Sequence, residues 1–199
     1  METNVDEKVL IRDSNRENLI ETFDSYLKKQ VDGEPKRILS VGCSFGYEAR
    51  PILGVFPTAN FKGIDINKKF IEVARDENPD LGNAIFQEGD ATKKETFGEE
   101  PWDLVLIRHP QVCREMFPAD PKQDVAKNWE IIMQNSMEAL RKGGTLFVST
   151  ITADERSVVL GYIKSSEEKM EVRVNRRNEF DANRVFDDLF IIVAKKDNW

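Results

Sequence analysis

The sequence predicts an α/β fold, a doubly wound, mostly parallel seven-stranded sheet with an antiparallel last strand and helices on both faces. Three observations carry this. An apolar run of strand length, Ile38 to Val41, enters a turn built from Gly42-Cys43-Ser44-Phe45-Gly46, and a segment with helical spacing follows. That strand-to-helix change of period then repeats along the chain, which is the mark of a sheet with crossover helices. Finally, Trp102-Asp103-Leu104-Val105-Leu106-Ile107 ends in a continuous apolar run, as a strand covered on both faces requires.

Taken in order, residues 1–13 are polar and irregular and read as a flexible arm, with a single domain expected over 14–199. Ser14-Asn15-Arg16-Glu17 has the form of a capping box. Leu19, Ile20, Phe23, Tyr26 and Leu27 then form one helical face that ends before Gly33 and Pro35. After the first strand, Ala49, Ile52, Leu53 and Phe56 give a helix its buried side, with Pro51 tolerated in the first turn and Pro57 as the stop. Phe61 to Ile66 is the second strand. Phe70, Ile71, Val73 and Ala74 are the core face of a helix capped by Asn67. Ala84 to Gln87 is the third strand and Trp102 to Ile107 the fourth, ended by Arg108-His109-Pro110. Residues 122–142 have helical spacing, and Gly143-Gly144 is expected as the C-cap before a fifth strand, Thr145 to Ile151. A helix from about Ala153 to Lys164 follows. No helix-length segment lies between Met170–Val174 and Leu189–Ala194, so these read as an antiparallel pair.

In an open α/β sheet a ligand binds beyond the carboxyl ends of the strands, and the glycine turn lies there. Asp65 ends the second strand about 20 residues after the turn, where one carboxylate accepts both hydroxyls of a ribose. Asp90 ends the third strand at the same edge and is placed to accept from an adenine amino group. The two acids and the turn converge on one crevice.

In this order and spacing the segments resemble the class I S-adenosylmethionine-dependent methyltransferases from Ile38 to Ala194. Gly42-Cys43-Ser44-Phe45-Gly46 stands for that family's glycine-rich first motif, Gly63-Ile64-Asp65-Ile66 for its acidic second, and Glu88-Gly89-Asp90-Ala91 for its third. Trp102 to Leu106 and Leu140-Arg141-Lys142-Gly143-Gly144-Thr145-Leu146 look like its fourth strand and the passage into its fifth. The resemblance implies a seventh strand inserted between the fifth and sixth, and S-adenosylmethionine as cofactor. It implies cofactor contacts at Gly42, Cys43, Ser44, Gly46, Glu48, Asp65, Ile66, Asp90 and Ala91. Gly42 and Gly46 would allow close backbone approach, and Glu48 would face the methionine amino group. Two positions depart from the family's habit: Ser40 stands where an acid often lies two residues before the first glycine, and Ser44 replaces the middle glycine. The form Gly-Cys-Ser-x-Gly-x-Glu is closer to the chemotaxis-receptor methyltransferases. His109, the sole histidine, closes the fourth strand and is the candidate general base, its ordinary pKa lying near 6.5. Arg108-His109-Pro110-Gln111 is not the Asn-Pro-Pro-Tyr type motif of the family's adenine- and glutamine-modifying members.

Composition narrows the partners. The formal charge is −7, so a nucleic acid is disfavoured and a small-molecule acceptor preferred. No apolar run approaches the roughly 20 residues of a membrane span, and the polar start carries no basic leader, so a cytoplasmic protein is expected. Cys43 and Cys113 lie far apart and cannot complete a metal set with one histidine, so no metal is expected. Two alternatives stand beside methyl transfer. One is a non-catalytic module that keeps the fold, binds the cofactor or a partner, and catalyses nothing. The other is an α/β-hydrolase, since Gly42-Cys43-Ser44-Phe45-Gly46 matches the Gly-x-Ser-x-Gly nucleophile elbow with Ser44 as nucleophile. That elbow belongs after several earlier strands and before a late histidine, and this chain offers neither.

Overall fold

The computed structural model describes residues 27–31, 33–108, 110, 112, 125–176 and 190–197. The expected arm, the Ser14–Glu17 capping box and most of the first helix lie outside the described residues, as do His109 and Cys113. The described elements, in chain order, are α1 (Lys28–Gln30), β1 (Arg37–Val41), α2 (Ala49–Val55), β2 (Asn60–Asp65), α3 (Lys68–Glu77) and β3 (Ala84–Glu88). A 3-10 turn at Lys94–Phe97 leads to β4 (Trp102–Arg108), α4 (Val125–Glu138), β5 (Leu140–Thr150), α5 (Ala153–Ser165), β6 (Met170–Arg176) and β7 (Phe190–Lys196).

The strands form one seven-stranded sheet in the order β3-β2-β1-β4-β5-β7-β6. β1 to β5 pair in parallel, and β7 runs antiparallel to both β5 and β6. The last strand is thus inserted between the fifth and sixth, as the sequence implied. Successive residues of a strand point to opposite faces, and the apolar content of these strands supplies both. Ile38, Phe61, Leu104, Leu106 and Phe147 face α2 and α3, while Leu39, Val41, Val105, Ile107 and Leu146 face α4 and α5. At the central strands β1, β4 and β5 neither face is left to solvent, which is why β4 reads as a continuous apolar run.

Local signals account for the helix starts. The Asn67 side chain accepts from the Lys69 N–H at 3.0 Å and caps α3. A capping box of Thr152 and Glu155 starts α5. Pro51, third in α2, lacks an N–H that the helix would not have used. One expectation is corrected: Gly143-Gly144 is not a C-cap. α4 ends at Glu138 and β5 begins at Leu140, so both glycines lie inside a strand. Pairing decides this, because Trp102 lies opposite Leu140 but Leu104 opposite Thr145, and the surplus residues of β5 bulge out. A Cβ on Gly144 would sit 2.9 Å from the Arg141 carbonyl oxygen.

Candidate active site

Because β1, β2, β3 and β4 are parallel and in register, the segments that leave them meet at one edge. Val41 lies beside both Ile64 and Ile107, and Asp65 beside Glu88. The sheet order reverses between β1 and β4, so the Gly42 turn sits at the topological switch point, where this class of sheet opens a crevice.

The turn is fixed by its own amides. The N–H groups of Gly42 and Cys43 both donate to the Ile64 carbonyl, at 2.8 and 3.0 Å, and the Gly46 N–H donates to the Cys43 carbonyl at 2.8 Å. These donors hold the turn rather than a ligand. Gly42 and Gly46 both have φ +69°, a left-handed conformation in which a side chain is strained. Their surroundings differ. A Cβ on Gly46 would lie 2.5 Å from Phe86 Cε1 and 3.1 Å from Ala74 Cβ, whereas one on Gly42 would meet nothing within 4 Å. Gly46 is therefore required by packing against β3 and α3, and Gly42 is the glycine that leaves open space above the turn. Ser44 is also left-handed, with φ +48°, which explains why a glycine suits that place; its N–H is held by Asp65 Oδ2 at 2.9 Å.

Asp65 ties the site together. Its Oδ2 accepts from Ser44, its Oδ1 accepts from the Asn67 N–H at 2.8 Å, and its carbonyl accepts from the Gly89 N–H at 2.9 Å. A carboxylate has about four acceptor positions, so two backbone donors leave capacity for two more. Beside it, Ile66 is 70% exposed. An exposed isoleucine next to a half-buried carboxylate serves no core.

Asp90 is bound into its own turn, with Oδ1 accepting from the Thr92 hydroxyl at 2.7 Å and the Thr92 N–H at 3.0 Å. The Thr92 hydroxyl is the main reason its carboxyl is held below the usual range. Oδ2 faces Lys93 Nζ at 4.0 Å. The Ala91 carbonyl accepts from Asn135 Nδ2 at 3.0 Å, and its side chain packs toward α4. Cys43 turns its thiol into the core, 2.8 Å from where a Cβ on Gly63 would be. Burial, then the charges of Glu48 and Asp65, push that thiol well above its ordinary range, and its Sγ lies 3.9 Å from the Ser44 carbonyl oxygen.

Glu48 is buried, 5% exposed, and its Oε1 accepts from the Ser40 hydroxyl at 2.6 Å. Burial pushes its pKa up, while Arg108 and the Ser40 hydroxyl oppose that rise. The sequence offered Ser40 only as a departure from a pattern. The two residues flank one turn, but nothing in the sequence marks the glutamate as turned inward to meet the serine. The aromatic group at the turn was not foreseen: the Phe45 ring lies 4.6 Å from Phe70 and 5.6 Å from Tyr47. A cavity of about 220 Å³ lies elsewhere, between residues 97–101 and the end of α4, where β4 begins.

Among the described residues no group of His, Cys, Asp or Glu is arranged to hold a metal ion, and no helix is long and apolar enough to cross a membrane. Comparison with known proteins matches a family described as methyltransferase domain to residues 33–188. The chain belongs to the methyltransferase-domain family. Relatives of this methyltransferase-domain chain include malonyl-[acyl-carrier protein] O-methyltransferase from Halalkalibacterium halodurans, 30% identical over 81 residues; the match spans 40% of this chain and 30% of that enzyme. In fold it is similar to the plantazolicin methyltransferase BpumL, with 17% identity, TM-score 0.66, and coverage of 94% of this chain and 86% of that one. It is also similar to an S-adenosylmethionine-dependent O-methyltransferase from Thermotoga maritima, with 16% identity, TM-score 0.65, and coverage of 90% and 71%. Membership in this family, together with a turn that follows the first strand of the sheet, removes the hydrolase reading of Ser44.

Proposed function

We propose that this protein transfers a methyl group from S-adenosylmethionine to a small-molecule acceptor. The observation that carries the reading is the Asp65 carboxylate, anchored by two backbone donors with acceptor capacity remaining, beside the open space over Gly42. When bound, the donor supplies a methyl group already made electrophilic by its sulfonium, so the protein has mainly to bind and align. Gly42 admits the ligand close to the backbone. Asp65 accepts the ribose hydroxyls, and Ile66 offers an apolar face to the adenine. Asp90 accepts from the adenine amino group through Oδ2. Glu48 faces the methionine ammonium, the role its likeness to the chemotaxis-receptor turn implies. The Gly46, Cys43, Ser44 and Ala91 contributions lie in shaping the backbone around these groups. His109, next in sequence to Arg108, is the proposed general base.

The relatives named above act, by their names, on a malonyl-acyl-carrier protein and on plantazolicin. A charge of −7 and three acids at the crevice oppose a polyphosphate acceptor, which supports a small molecule here. The buried free thiol of Cys43 fits a cytoplasmic setting. Calorimetric titration with S-adenosylmethionine and S-adenosylhomocysteine, on wild type and Asp65→Ala, tests the reading. Binding by the wild type with loss of at least tenfold in Asp65→Ala is expected, and no binding by the wild type overturns it. Turnover in a small-molecule acceptor screen separates the enzyme from a binding-only module, and unchanged turnover in His109→Ala removes the base.

A further inference from the structure

The first strand lacks the acid that the family often carries two residues before the first glycine, and a carboxylate nevertheless reaches that place. Ser40 lies on the face of β1 that Ile38 also occupies, beneath α2, and is 2% exposed. Glu48, at the foot of α2, turns inward so that its Oε1 lies 2.6 Å from Ser40 Oγ. That separation is a short O–H···O hydrogen bond, and the hydroxyl favours the ionised form of the acid against the burial that disfavours it. A buried carboxylate is unfavourable unless paired and hydrogen-bonded, so this geometry needs a reason.

The charges around it supply one. Among the described residues, the groups that face Glu48 are Ser40 from β1, Arg108 from β4, Asp65 from β2 and the Cys43 thiol from the turn. Two acid groups beside one guanidinium give this edge, where Gly42 opens, more acceptors than cations among the described residues. A cation entering there completes the balance.

We propose that Ser40 is a positioning residue that aims the Glu48 carboxylate at the ammonium of the bound donor, so that a hydroxyl and a displaced acid together do what an acid on β1 does elsewhere in the family. The proposal rests on the donor-site reading above. Its signature is selectivity within the ligand. S-adenosylhomocysteine carries the ammonium, and 5′-methylthioadenosine carries the same adenosine and sulfur without it. Ser40→Ala is expected to weaken S-adenosylhomocysteine about tenfold, the scale of one hydrogen bond to a charged group, and to leave methylthioadenosine within twofold. Ser40→Thr keeps the hydroxyl and restores the affinity. Glu48→Gln keeps an acceptor for Ser40, removes the charge, and is expected to show the same selective loss.

The pH dependence gives an independent readout. Protonation of Glu48 weakens S-adenosylhomocysteine binding as pH falls, and loss of the Ser40 donor moves that fall to higher pH, because the hydroxyl favours the ionised form. Calorimetry at several pH values, with melting temperatures as a fold control, measures all of this. Equal losses for both ligands in Ser40→Ala, wild-type affinity in Glu48→Gln, or a profile that Ser40→Ala does not move would each overturn the positioning role. Failure of the wild type to bind either ligand would instead overturn the donor site itself.

Discussion

Gly42 and Gly46 share one backbone conformation and separate two kinds of requirement, so replacing each with alanine tests how the turn is built. A left-handed alanine costs about 1–2 kcal/mol at either position. At Gly46 the new Cβ also lies 2.5 Å from Phe86 Cε1. Ordinary carbon contacts are about 3.5–4.0 Å, so the ring must retreat by roughly 1 Å. Overpacking of that kind adds about 1–3 kcal/mol. Gly46→Ala is therefore expected to destabilise by about 2–5 kcal/mol, a fall in Tm of roughly 4–20 °C for a chain of this size. Gly42→Ala has open space around it and should cost only the backbone term, about 1–2 kcal/mol. Its methyl group, however, would project into the space proposed for the donor, so affinity for S-adenosylhomocysteine should fall at least tenfold. Urea denaturation and calorimetric titration on the two variants measure both quantities. Phe86→Leu removes the clashing ring tip, so the double variant Gly46→Ala/Phe86→Leu should be less destabilised than the sum of its parts by about 1 kcal/mol or more. Equal destabilisation by the two glycine variants, or wild-type affinity in Gly42→Ala, would refute the division between a packing glycine and a ligand-facing one.

Thr150 Oγ1 is buried without a hydrogen-bond partner among the described residues, so Thr150→Val should raise stability by about 1 kcal/mol, read as a Tm increase of roughly 2–4 °C; a decrease would show that the hydroxyl has a partner. Asp103 is pushed up by burial, but Arg141 and the N–H groups of Arg37 and Lys36, both at 2.8 Å, more than offset this and hold it below the usual carboxylate range. Its folded pKa being the lower one, its stabilisation is present above about pH 4 and is lost as pH falls through the folded value; Asp103→Asn should flatten the acid limb of a stability-against-pH curve. Asn67→Ala removes the cap of α3 and should cost about 1 kcal/mol, yet the Asn67 N–H that holds Asp65 is backbone and survives, so S-adenosylhomocysteine affinity should stay within twofold.

What the sequence disclosed follows from which interactions are local. Strand positions were legible because period-two and continuous apolar runs are local, and the Asn67 cap because a cap is a contact between near neighbours. The order of the sheet was implied by the family resemblance rather than by periodicity. Gly143-Gly144 was misread because two glycines after a helical pattern look like a helix end, and only the pairing of β4 with β5, a contact across some 40 residues, turns them into a bulge. The Gly46 requirement was equally hidden, since it comes from Phe86 and Ala74, remote in the chain. Asp65 was found by its spacing from the turn, but its hold on Ser44 and Asn67 needed the folded geometry. Burial of Glu48 was invisible, because a glutamate at a helix start ordinarily faces water.

The sheet also distributes charge in a way that orders the two substrates of the proposed transfer. On one side of the switch point, β1 to β3 deliver Glu48, Asp65 and Asp90 within a few residues of their carboxyl ends. On the other side, β4 delivers Arg108, paired in register with Ser149 of β5. A donor with a positive sulfonium and ammonium would be favoured where Glu48, Asp65 and Asp90 outnumber the one guanidinium that reaches Glu48. An electron-rich acceptor has the reverse preference. The methyl group would then cross at the junction of β1 and β4, the place where Gly42 leaves space.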